Sequence, residues 1–142
     1  MGNPMMILKI SGIDKKDKGK TPDGVISELI SKAFTTRNLL HFSHWNTNSF
    51  AAHMALGDLY DGIIDDIDDI VETYQGKFGL VKDLHCDAAT LPSDICKHVK
   101  DEAAWVEDNR CFISKGESSI ENLIDNLIGA YHKTVYKLEN LK

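Results

Sequence analysis

Apolar residues recur at three- and four-residue spacing in four blocks of the chain, with no strand signal of weight between them. The first block carries Val25, Ile26, Leu29, Ile30, Ala33, Phe34, Leu40 and Phe42 and predicts a helix over 22–45. Thr21-Pro22-Asp23-Gly24 opens it, with Thr21 or Asp23 as cap and Pro22 suited to the first turn. The second block predicts a helix over 49–74, with Phe50, Met54, Leu56, Leu59, Ile63, Ile67, Ile70 and Val71 as its core face and Gly76-Lys77-Phe78-Gly79 as its stop. The third, over 92–113, offers Ile95, Val99, Ala103, Val106 and Phe112. The fourth, over 117–141, carries Ile120, Leu123, Ile124, Leu127, Ile128, Tyr131, Val135 and Leu138 behind a capping pair of Ser118 or Ser119 with Glu121. His132 reads as a histidine at the core edge.

Connection lengths set the order of these helices. Asn46-Thr47-Asn48-Ser49 is short and polar, so the first two helices run antiparallel side by side. Residues 77–91 form a much longer link, with room for a short helix over 81–86, and their length fits a crossover along the bundle. The expected fold is all-α, a four-helix bundle with a long crossover between helices two and three.

Size and charge narrow the class. A chain of 142 residues with 42% hydrophobic residues and a net charge of −6 is one soluble globular domain, neither disordered nor fibrous. No apolar run reaches the roughly 20 residues of a membrane span, and the first residues lack the basic start and long apolar core of a signal peptide. A cytoplasmic protein without a membrane partner is therefore expected. Cys86, Cys96 and Cys111 are too few for a disulfide framework and suit a reducing compartment. His85-Cys86 with Cys96 and His98 would supply four zinc donors, but at spacings that match no common structural zinc pattern.

Residues 1–20 separate from the bundle over 21–142. They hold a short apolar piece, Met5 to Ile10, and Lys9, Lys15, Lys16, Lys18 and Lys20 diluted by Asp14 and Asp17. Phosphate contacts need charge rather than a fixed fold, so weak DNA binding through this arm is one expectation. A solvated tail is the simpler one.

Chemistry concentrates between His41 and Glu72. On a helix, His53, Gly57, Asp61, Asp68 and Glu72 fall within an arc of roughly 100°. At 1.5 Å per residue, His53 stands about 22 Å from Asp68 and about 28 Å from Glu72, too far for one ion to join them within a chain. Two copies of the helix packed antiparallel about a two-fold axis near Asp61 and Gly62 would bring the His53 end of one to the Asp68 and Glu72 end of the other. The seven carboxylates from Asp58 to Glu72 repel one another along a single helix, which favours a cation role for part of them.

His44-Trp45-Asn46, Phe50-x-x-His53, Asp58-Leu59-Tyr60 and Asp68-x-x-x-Glu72 together resemble the signature of the Dps family of mini-ferritins. The resemblance implies a ferritin-like bundle assembling into a homodimer and then a shell. It also implies a ferroxidase site between subunits that oxidises and stores iron, with His44, His53, Asp68 and Glu72 as ligands of Fe(II). The family's acidic residue one turn after the second histidine is replaced here by Gly57, with Asp58 beside it. His41 and Asp61 stand as reserve ligands. No Glu-x-x-His occurs, which rules against a di-iron centre inside one bundle. The rival expectation is a non-catalytic scaffold in which His44 and His53 make interhelical hydrogen bonds.

Overall fold

The computed structural model describes residues 22–142. The lysine-containing arm over 1–20, and DNA contact through it, lie outside the described residues. The rest is all-α: α1 spans Pro22–Asn46, α2 Phe50–Phe78, α3 Ile95–Ser114 and α4 Ser118–Asn140. They pack as a four-helix bundle in which α1 and α4 each lie against both α2 and α3.

Local chemistry sets the ends. The Ser49 hydroxyl caps α2 by accepting from the Ala52 N–H, and Asp94 caps α3 by accepting from the Lys97 N–H. The third helix thus starts after Pro92 rather than at it. The second continues through Gly76 and stops at Gly79, whose φ of 95° is the first backbone that ends it. Lys115 and Gly116, both at positive φ, turn α3 into α4. Glu117 occupies the N-cap of α4 without a side-chain bond, and Glu121 is drawn instead to Arg110 and Ser114.

The core is built from the inward residues of all four helices. Ile26, Leu29, Leu40, Leu56, Ile63, Ile67, Ile70, Val99, Ile113, Ile120, Ile124 and Leu127 are almost wholly buried, as are Tyr74 and Tyr131. Four residues expected in this core, Phe34, Phe42, Phe50 and Met54, are exposed instead, Phe50 at 77%. Helical spacing shows that a residue recurs on a stripe but not which stripe faces inward, and these four sit on the outward side. His132 is also exposed rather than at the core edge.

Directions follow from pairs across the helices. Lys32 meets Glu102 and Thr36 meets His98, so α1 and α3 are antiparallel. Lys77 meets Glu117 and Asp58 meets Lys137, so α2 and α4 are antiparallel as well. With α1 and α2 joined by a tight turn, α2 and α3 run the same way. Residues 79–94 form the segment between them.

That segment forms no helix over 81–86. Three hydroxyls at successive turns of α1 hold it instead. Ser27 donates to the Asp83 carbonyl at 2.6 Å, Ser31 accepts from the Asp87 N–H at 2.9 Å, and Thr35 donates to the Asp87 carbonyl at 2.9 Å. Backbone groups that a helix would have satisfied internally are paired by side chains at i, i+4 and i+8.

Candidate functional site

The turn between α1 and α2 brings His44 and His53 face to face. Their rings stack with centroids 3.6 Å apart and planes 21° from parallel. Nδ1 of His44 lies 2.7 Å from the His53 carbonyl, and Nδ1 of His53 lies 2.9 Å from the His44 carbonyl. A carbonyl only accepts, so each Nδ1 carries the proton and each neutral ring keeps its lone pair on Nε2. Histidines that bind metals are held in this manner, with one ring nitrogen donating to a carbonyl and the other presented to the ion.

Gly57 makes the approach possible. A Cβ at this position would stand 3.2 Å from Cε1 of His44 and 3.3 Å from its Nδ1, closer than ordinary van der Waals contact. The position where the mini-ferritin pattern places an acidic side chain is here taken up by the imidazole of His44.

Aromatic rings surround the pair. His41 stacks on Tyr60 at 4.1 Å and touches Trp45 at 4.3 Å, while His44 meets the edge of Tyr60 at 5.2 Å. The Arg37 guanidinium lies 5.5 Å from the Tyr60 ring centre. Arg37, His41 and Trp45 recur every four residues on α1, and His53 and Tyr60 lie seven apart on α2. That spacing is the sequence signal for Arg37 and Tyr60, which carry neither imidazole nor carboxylate. Trp45 is 67% exposed and packs on His41 and Phe42 rather than into the core.

Asp68 and Glu72 do not join the histidines within the chain. Both are exposed in the distal half of α2, where Asp68 borders a groove with Ile30, Phe34 and His85. Of the seven carboxylates on α2, Asp58 alone forms a salt bridge among the described residues, to Lys137. Asp66 is partly buried, and that burial, reinforced by Asp69 and Asp65, raises its pKa above the usual carboxylate value. Asp61 is exposed, and Gly62 faces a shallow depression beside Lys133 and Lys137 of α4. Among the described residues no three His, Cys, Asp or Glu side chains come together as a metal-binding group. The zinc alternative shares that outcome, since His98 is engaged by Thr36, and Cys86 lies beside Thr35. No helix among the described residues is long and apolar enough to cross a membrane.

The chain belongs to DUF5856, a family of unknown function whose pattern matches residues 44–138. The matched span includes His44, His53, Asp68 and Glu72. No curated protein and no solved structure matches the chain.

Proposed function

We propose that this protein is a ferritin-like bundle that takes up Fe(II) at sites completed by a second copy of itself, with His44 and His53 from one copy and Asp68 and Glu72 from the other. The reciprocal His44–His53 pair carries the reading, because it fixes two rings in the tautomer that leaves both Nε2 atoms as bases. The unpaired carboxylates of α2 support it, since a row of like charges gains from a cation. Helix order supports the scaffold: two parallel helices joined by one long return segment are the ferritin-like departure from a simple up-down bundle.

Fe(II) is the substrate in this scheme. Imidazole and carboxylate suit Fe(II) among several divalent ions, and the choice of iron rests on the mini-ferritin resemblance. The histidines would hold the ion by their Nε2 atoms while the partner's carboxylates balance its charge. Two Fe(II) ions would then give up one electron each to hydrogen peroxide, whose O–O bond breaks to leave two hydroxide ions, and the ferric product would collect against the acidic surface.

A specific observation favours a second reading. Gly57 leaves the site one acidic ligand short and gives the vacated space to His44, so the pair would serve as an interhelical clasp in a scaffold without catalysis. Anaerobic Fe(II) titration followed by peroxide, on wild type and on the Asp68→Ala, Glu72→Ala double variant, with mass by light scattering, separates the two. Binding and fast oxidation in an oligomer, lost in the variant, bear out the intersubunit site. Equal behaviour of both proteins leaves the scaffold.

A further inference from the structure

We propose that Met5 to Ile10 of the same chain docks into the groove between α1, α2 and the segment that links α2 to α3. This groove, of about 410 Å³, is walled by Ile30, Phe34, Ile67, Val71 and Leu84, with Asp68 and His85 at its polar margin. Phe34 and Leu84 are large apolar side chains left exposed, Leu84 at 65%. An apolar face of this kind, on a surface otherwise rich in carboxylates, calls for an apolar cover.

Three features select the occupant. The first is composition. Met5-Met6-Ile7-Leu8-Lys9-Ile10 is the apolar run of the sequence before α1, and an extended backbone would put Met6, Leu8 and Ile10 together on one face. The second is reach. α1 begins at Pro22, and Ile30 and Phe34 stand about 12 and 18 Å along it. Ser11 to Thr21 span up to about 36 Å when extended, enough to double back over that distance. The third is charge. Lys9, Lys15, Lys16, Lys18 and Lys20 would lie along the side of α2 that carries Asp61, Asp65, Asp68, Asp69 and Glu72, none of which has an ion pair among the described residues. The inference needs neither a metal nor a second copy, and a docked arm would compete with a partner's histidines for Asp68 and Glu72.

A photo-crosslinking benzoylphenylalanine in place of Leu8, in the full-length protein at low micromolar concentration, tests it directly. The expected product has the mass of one chain, with the link mapped to peptides holding Ile30 and Phe34, Val71 or Leu84. Leu84→Glu, at an exposed site outside the helices, keeps the fold and cuts the yield about tenfold, the effect of losing one buried aliphatic contact. Links mapped elsewhere, links only between two copies, or a yield unchanged by Leu84→Glu would each overturn the proposal. Circular dichroism on the variant confirms that the bundle is intact.

Discussion

His44 and His53 each donate a ring proton to the other's backbone carbonyl, across two helices and over a stack of 3.6 Å. The two carbonyls lie where α1 ends and α2 begins, so the pair closes the turn as a reciprocal clasp. Each bond contributes on the order of 1 kcal/mol. His53→Ala is expected to lower the unfolding free energy by about 1–2 kcal/mol, and so is His44→Ala. Because the pair acts as a unit, the double variant should lose less than the sum, with a coupling of about 1 kcal/mol in denaturant melts.

Gly57 should respond according to what stands opposite. Alanine in a helix interior gains about 1 kcal/mol over glycine, but here its Cβ presses on a ring held in place by a 2.7 Å bond. Gly57→Ala is therefore expected to be neutral or destabilising in the native background. In a His44→Ala background it should stabilise by about 1 kcal/mol. Thermal melts of the four proteins check the reversal of sign.

Much of the fold was legible because amphipathic helices announce themselves. The stripes from Ile63 to Ile70 and from Ile120 to Tyr131 face the core as the spacing predicts. Helix ends were less legible, since Gly76 and Pro92 carry signals that a neighbour overrode: Gly79 has the positive φ, and Asp94 has the capping oxygen. The exposure of Phe34, Phe42, Phe50 and Met54 could not be read from period alone, because an outward apolar stripe has the same spacing as an inward one. At the site, His44 and His53 were legible as a pair. What Gly57 does was not, because a missing side chain shows its meaning only when the neighbouring ring is in place.

Lys32 and Glu102 form a second sensitive pair. Glu102 is 7% exposed and its carboxylate takes a hydrogen bond from Lys32 at 3.2 Å, while the same ammonium lies 5.2 Å from the Trp105 ring centre. Lys32→Met leaves a buried charge without its cation and is expected to lower stability by about 2–3 kcal/mol. Adding Glu102→Gln to that variant should recover part of the loss, as read by urea unfolding at pH 7.

Asp66 should show the opposite effect. Folding raises its pKa, first by burial and then by the charges of Asp69 and Asp65, so the native state disfavours the ionised form. Its favourable contribution is present below the unfolded value of 3.8 and is lost as pH rises through the higher folded value. Asp66→Asn is therefore expected to be more stable than wild type at pH 7, with the advantage shrinking as pH falls towards 3.8. A series of denaturant midpoints from pH 7 to pH 4 measures the trend.

The hydroxyls of Ser27, Ser31 and Thr35 fasten the segment between α2 and α3 from outside, and Val81 is its one buried residue. Breaking those few bonds exposes little apolar surface, so the segment can open as its own cooperative unit while the four helices stay shut. Its amides should exchange with solvent well before those of the bundle, and a protease should cut there first. Leu84 travels with it, so one wall of the groove is hinged to a segment held by few bonds. The groove can therefore widen at a small fraction of the cost of unfolding the protein.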